Sequence, residues 1–255
     1  MDGGDGGRGE AVISQRGAAR RDERPERPVP LDASVVEELA VAVGRRHAVE
    51  LSERLGHAAR YYERDRYREA LAGARAVLEH APESLAAREL AGLSCYRLGR
   101  WRDAIRFLYP IWVKTGEADQ VPVLMDCRRA LKQPRQVEAL FEELRRSSPG
   151  ADLLAEARLV LAGTYADRGD LGRAIEVLVQ AGAARAMRRP AERHIRQWYA
   201  LGDLYERSGD IPRARELFRR LVTHAPDLAD VPARLEELGG SKLRAPRPAK
   251  RRQST

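Results

Sequence analysis

Apolar residues recur every three or four positions from Leu31 to about Gly239, the spacing that places them on one face of an α-helix. No stretch alternates Val, Ile or aromatic residues with polar ones in the way of a half-buried β-strand. Ser34 and Glu37 have the S-x-x-E spacing of a capping box, so we expect the first helix to begin there. The pattern predicts an all-α fold over residues 31–240.

The two ends of the chain lack this pattern. Residues 1–30 are rich in Gly, Arg, Asp and Pro and have few apolar side chains, so we expect a disordered tail. Residues 241–255 are also predicted to be a disordered tail, and they contain no acidic residue. Six basic residues in this tail account for most of the formal net charge of +8: Lys242, Arg244, Arg247, Lys250, Arg251 and Arg252.

A sequence signature lies near the end of the helical region. Seven residues follow the spacing W-x2-L-G-x2-Y…A-x3-F…P: Trp198, Leu201, Gly202, Tyr205, Ala214, Phe218 and Pro226. This segment resembles the tetratricopeptide repeat, a family whose unit is a pair of antiparallel helices. Less regular copies precede it, so that repeats start near residues 51, 85, 118, 155 and 195. The resemblance implies a TPR-type α-solenoid of about five helix-turn-helix repeats, closed by a capping helix at 231–238.

The resemblance also implies a binding surface, because the first helix of each pair lines the concave groove in this family. We expect the partner-binding residues to be Leu55, Tyr62, Glu89, Leu93, Tyr96, Asp126, Leu159, Tyr199 and Asp203. The uncharged members form an apolar and aromatic stripe, in which Tyr96 and Tyr199 are expected to bind a partner more than they pack. Eight acidic residues and four arginines occupy the charged groove positions, which favours a basic partner. A solvated helix face without any partner fits the same pattern.

Residues that carry catalytic or metal chemistry are not grouped along the chain. The five histidines are scattered, and Cys95 and Cys127 occupy helical positions that predict buried thiols. Residues 4–9 spell G-x-G-x-x-G, but neither a strand nor a helix is predicted beside them, so we do not expect a nucleotide site. The sequence therefore predicts no enzyme activity, metal, cofactor or small-molecule substrate.

Two functions are compatible with these features. The first is a non-catalytic scaffold that binds a helix or peptide of another protein in the concave groove. The alternative is an RNA- or ribosome-associated factor that docks through the six basic residues of the C-terminal tail. With no apolar run of membrane-spanning length and no export signal, we expect a cytoplasmic protein without a membrane span. Abundant Arg and Ala, with only four lysines, suggest a bacterial source rich in GC.

Overall fold

The computed structural model describes residues 27–228 and 230–239, and these residues form α-helices joined by short connections. The helices in the described ranges are α1 (Ala33–Val43), α2 (Arg45–Glu63), α3 (Tyr67–His80), α4 (Leu85–Arg97), α5 (Trp101–Thr115), α6 (Val121–Ala130), α7 (Pro134–Arg146), α8 (Ala151–Asp167), α9 (Leu171–Gln180), α10 (Glu192–Arg207), α11 (Ile211–His224) and α12 (Val231–Glu237). Residues 1–26 and 240–255, to which most of the predicted tails belong, lie outside the described residues.

The helices pack as five consecutive antiparallel pairs, from α2–α3 to α10–α11. Among the first helices, α2 packs on α4, while α6, α8 and α10 follow one another side by side. The predicted all-α solenoid of five helix pairs with a C-terminal capping helix is confirmed. The first helices begin at Arg45, Leu85, Val121, Ala151 and Glu192, whereas the expected repeat starts are 51, 85, 118, 155 and 195.

Glycine allows close helix contacts within three pairs, including α2–α3, where a Cβ atom on Gly73 would lie 2.7 Å from Cβ of Ala58. A Cβ atom on Gly92 of α4 would lie 2.5 Å from the Leu108 side chain of α5. A Cβ atom on Gly202 of α10 would lie 2.9 Å from the Phe218 ring of α11. All three distances are shorter than a van der Waals contact, so these helix pairs can approach only because the side chain is absent.

The turn between the two helices of a pair has the same backbone form in all five repeats. The second-last residue before the second helix has a positive φ in each: Asp65, Gly99, Lys132, Gly169 and Gly209. Glycine adopts this left-handed region without steric strain, whereas Asp65 and Lys132 adopt it at an energetic cost. The turn is therefore set by the packing of the pair rather than by glycine alone.

An additional helix, α1, covers the outer side of the first repeat. Leu39 of α1 is fully buried among core residues of α2 and α3. Ahead of α1, the non-helical residues 27–31 reach the middle of α2, where the Val29 N–H donates to the carbonyl oxygen of Gly56 at 3.0 Å. Together α1 and this segment form an N-terminal cap that the repeat pattern does not predict.

The predicted capping box at the start of α1 is wrong. The helix begins at Ala33, so Ser34 lies inside its first turn rather than at its N-cap. The N-cap residue is Asp32, whose carbonyl oxygen accepts from the Val35 N–H at 3.0 Å while its side chain makes no capping bond. At this helix the S-x-x-E spacing of Ser34 and Glu37 therefore does not mark a capping box.

The opposite end is covered by α12, which buries Val231 and Leu235 against α10 and α11. Among residues 27–228 and 230–239, no helix has both the length and the apolarity that crossing a membrane requires.

Candidate protein-binding surface

Eight of the nine predicted partner-binding residues are half-buried side chains on the first helices. They are Tyr62 on α2, Glu89, Leu93 and Tyr96 on α4, Asp126 on α6, Leu159 on α8, and Tyr199 and Asp203 on α10. Because the first helices lie side by side in much of the solenoid, these residues belong to one layer of the molecule. We call this the first-helix surface.

Leu55 is the exception, and its predicted place on the binding surface is wrong. Its side chain is only 2% exposed and lies in the core cluster that contains Leu39, Leu51 and Val77. Leu31 and Val35, at the start of the N-terminal cap, pack against the same cluster. Leu55 is therefore a core residue of the first repeat, and its side chain is not accessible to a partner.

Tyr96 connects two neighbouring repeats. Its hydroxyl donates to Oδ2 of Asp126 at 2.8 Å, which joins α4 to α6. Burial raises the pKa of Tyr96 well above its ordinary value, and the bond to the Asp126 carboxylate raises it further. Tyr96 is thus a structural link as well as a surface residue.

Tyr199 makes the same kind of connection at the end of the solenoid. Its hydroxyl donates to Oδ2 of Asp230, also at 2.8 Å, and so joins α10 to the residue before α12. Burial and this bond raise the pKa of Tyr199. The expectation that Tyr96 and Tyr199 act mainly on a partner overlooks these two links.

The carboxylate of Asp167 on α8 is neutralised by an arginine of the preceding repeat. Arg129 of α6 binds it through two nitrogens, with Nε at 2.6 Å from Oδ2 and Nη2 at 3.1 Å from Oδ1. The hydrogen bonds from Arg129 lower the pKa of Asp167. A Cβ atom on Gly163 would lie 2.6 Å from Nη1 of Arg129, so this guanidinium can lie across α8 only because residue 163 is glycine.

Arg234 of α12 forms ion pairs with the acidic residues at the C-terminal end of the first-helix surface. Its Nη2 lies 2.8 Å from Oδ1 of Asp203 and 2.6 Å from Oε2 of Glu206. Nη1 lies 3.7 Å from the Asp230 carboxylate, and the side chain is only 17% exposed. This residue is missed by sequence reasoning because it lies in the capping helix, outside the groove positions of the repeat.

Glu89 is the predicted acidic residue without a cation. It is half-buried, and its hydrogen bond in the described part of the chain comes from the neutral amide of Gln120, at 2.6 Å. Burial raises the pKa of Glu89, and the nearby carboxylates of Asp119 and Glu117 raise it further. Glu89, Asp119 and Glu117 therefore form a group of carboxylates, on α4 and ahead of α6, with which no lysine or arginine of the described residues forms an ion pair.

The comparisons with known proteins agree with this architecture. Residues 195–235 match the family model of the tetratricopeptide repeat. A crystal structure of a thermophilic TPR protein from Thermus thermophilus is similar over 74% of this chain and 98% of its own, with a TM-score of 0.57 and 20% sequence identity. Residues 195–235 thus form a tetratricopeptide repeat, and the described chain has the fold of a TPR solenoid. A comparison with curated proteins gave no match.

Tetratricopeptide repeats serve in general as scaffolds for protein–protein interaction, and that general role is what the fold of this chain supports. The basic residues that carry the alternative nucleic-acid function, from Lys242 to Arg252, lie outside the described residues.

The two cysteines are core residues. Cys95 on α4 and Cys127 on α6 are fully buried in the same cluster. Burial raises the pKa of both thiols, that of Cys127 to about 12. Both side chains therefore remain protonated at neutral pH, which is unfavourable for nucleophilic chemistry.

Proposed function

We propose that this tetratricopeptide-repeat protein is a non-catalytic scaffold that binds a helix or an extended peptide of another protein on its first-helix surface. Tyr62, Leu93 and Leu159 supply partly exposed apolar area on the first helices of three repeats. A bound segment would remove this area from water, and such burial is the main driving force of association.

The environment of Glu89 gives this function its main support. Most acidic residues of this surface are paired with arginine, so they need no cation from a partner. Glu89 is instead held partly desolvated beside other carboxylates. A lysine or arginine of a bound segment would relieve both the desolvation and the repulsion, so we infer a partner with a basic side chain next to apolar ones.

The ion pairs of this surface also favour a preformed site. Arg129 and Arg234 each bridge neighbouring helices, and so they fix the spacing of the repeats before a partner arrives. A rigid surface loses little conformational entropy on binding, which raises the affinity that a few apolar contacts can give.

Site-specific photocrosslinking in the native host tests the proposal. A photoreactive phenylalanine replaces Tyr62 on the first-helix surface or, as a matched control, Tyr109 on α5, where the side chain is exposed. We expect a crosslinked protein from position 62 and none from position 109. Adding Glu89→Lys should abolish the crosslink from position 62, because it places a cation where a basic partner would bind.

Equal crosslinking from positions 62 and 109, or a crosslink from position 62 that Glu89→Lys leaves unchanged, would contradict the proposal. Circular dichroism of each variant checks that the helices remain folded.

A further inference from the structure

The connection between α9 and α10 is the longest between consecutive repeats in the described part of the chain. It spans residues 181–191, whereas the other connections between pairs span 81–84, 116–120 and 147–150. Insertions in repeat proteins are placed in loops, and such loops often carry binding residues. We refer to residues 181–191 as the arginine loop.

The arginine loop is held against the body of the protein at three points. Ala183 is buried in the C-terminal core cluster, and Met187 packs against the same cluster. The carbonyl oxygen of Ala184 accepts a hydrogen bond from Nη1 of Arg220 on α11, at 2.8 Å. These anchors fix the position of the loop beside α11.

Three arginines of the loop are exposed to solvent. They are Arg185, Arg188 and Arg189, and residues 181–191 contain no acidic residue. Within the described residues, none of the three guanidinium groups has an ion-pair or hydrogen-bond partner. Neighbouring arginines are paired, since Arg193 lies 2.9 Å from Asp152 and Arg220 lies 3.1 Å from Glu216.

We propose that the arginine loop binds the phosphate backbone of RNA without sequence specificity. Guanidinium groups bind phosphate oxygens through two parallel hydrogen bonds, and three free ones on an anchored loop require no existing ion pair to be broken. The other exposed residues beside them, Ala184 and Ala186, offer neither an aromatic ring nor an apolar pocket. Recognition therefore depends on charge, which suits a regularly charged backbone better than a peptide that needs side-chain pockets.

The site is separate from the first-helix surface and adds to the basic C-terminal segment. The sequence of residues 242–252 supplies six further cations on the same chain. The position of the arginine loop is defined by contacts of Ala183, Ala184 and Met187. The contributions of the loop and of these six basic residues to RNA affinity can be separated by mutation.

Fluorescence anisotropy of a labelled single-stranded RNA of mixed sequence, about 20 nucleotides long, tests the proposal between about 50 and 200 mM salt. The full-length chain is compared with a triple variant, Arg185→Gln, Arg188→Gln and Arg189→Gln. Each lost phosphate contact lowers the slope of log affinity against log salt by about 0.7, so we expect the slope to fall by about 2 units and the affinity at low salt to fall about tenfold.

A matched control removes the same net charge elsewhere. Arg45, Arg46 and Arg135 are also exposed and lack an ion pair within the described residues, and their triple replacement by Gln should leave the slope nearly unchanged. A loop variant that carries Lys at positions 185, 188 and 189 should retain most of the slope, because lysine keeps the charge. Melting followed by circular dichroism should show no difference between the loop variant and the original chain, since the three guanidinium groups pair with nothing in the described part of the protein.

The proposal is overturned if the loop variant and the matched control bind RNA equally. It is also overturned if replacing the six basic residues from Lys242 to Arg252 by Gln abolishes RNA binding, so that the loop variant causes no further loss. A poly-glutamate peptide that binds as tightly as the RNA, with the same dependence on the loop, would show that the loop takes an acidic protein segment instead.

Discussion

The hydroxyl of Tyr96 lies 2.8 Å from Oδ2 of Asp126, and this hydrogen bond joins the first helices of two adjacent repeats. The equivalent bond between Tyr199 and Asp230, of the same length, joins the last repeat to the C-terminal cap. Stability in a solenoid depends on contacts between neighbouring repeats, because each repeat touches only those beside it. The two tyrosines therefore contribute to cooperative folding from a surface that we assign to binding.

We predict that Tyr96→Phe destabilises the protein by about 1 to 2 kcal/mol, because a half-buried hydrogen bond to a carboxylate is lost. Asp126→Ala should cost at least as much, because it also removes the carboxylate with which Arg129 pairs at 3.5 Å. The double variant should cost less than the sum of the two single variants, because both remove the same bond. Urea unfolding of the four proteins measures this coupling, and strictly additive effects would show that the bond contributes nothing.

Glycine-to-alanine substitutions should separate close packing from helix propensity. Gly92→Ala and Gly202→Ala place a methyl group against Leu108 and Phe218, and we expect each to cost about 1 to 3 kcal/mol. Gly172→Ala on α9 is the control, because its Cβ atom would meet only a side-chain oxygen of Asp170 at 3.9 Å. This control should be neutral or stabilising by up to about 1 kcal/mol in thermal unfolding.

The inter-helix turns allow a second paired test. Lys132 and Gly209 occupy equivalent turn positions, with φ values of 56° and 83°. We predict that Gly209→Ala costs about 1 kcal/mol, whereas Lys132→Gly is neutral or stabilising, because the left-handed region strains any residue that has a Cβ atom. The midpoints of chemical unfolding measure both changes, and a loss of stability in Lys132→Gly would disprove the strain at position 132.

Helix pairing could be predicted from the sequence because it depends on short-range spacing. The positions of Gly202 and Phe218 in one repeat fix how α10 and α11 cross, and that spacing is visible in the chain. The burial of Leu55 could not be predicted in this way. It depends on α1, a helix outside the repeat pattern that covers the first repeat. Arg234 could not be predicted either, because it lies on α12, outside the repeat pattern, while its carboxylate partners lie in the preceding repeat.

Charge counting along the first helices gives an incomplete electrostatic picture. It identifies Asp203 and Glu206 as acidic surface residues but omits Arg234, which approaches them from α12. It cannot distinguish these paired residues from Glu89, because pairing depends on three-dimensional distance. The structure therefore moves the expected site for a basic partner towards the N-terminal half of the solenoid.

Removing Arg234 should detach the C-terminal cap. We expect Arg234→Ala to cost about 2 kcal/mol, because Glu206 would lose its cation and Asp203 would keep only Arg207, at 3.5 Å. Amide hydrogen exchange should become faster in α12 and in the last turns of α10, and remain unchanged in α4. Arg234→Lys should restore only part of the protection, because an ammonium group cannot bridge two carboxylates with the planar geometry of a guanidinium.

The raised pKa of Glu89 predicts how stability depends on pH. The folded protein holds the proton more tightly than the unfolded chain does, so the associated stability is present below the ordinary pKa of 4.5 and is lost as the pH rises through the folded pKa. Glu89→Gln should therefore stabilise the protein at neutral pH and have little effect well below pH 4.5. Urea unfolding at the two pH values measures the difference, and the same effect at both would show that ionisation of Glu89 is not responsible.

If Glu89 serves a bound basic partner rather than the fold, its substitution should weaken binding without lowering stability. The affinity of the partner identified by crosslinking is measured at neutral pH for the original chain and for Glu89→Gln, together with the free energy of unfolding of both. We predict that the substitution weakens binding about tenfold, or about 1.4 kcal/mol, while the free energy of unfolding stays the same or increases. An unchanged affinity, with or without a change in stability, would contradict the account.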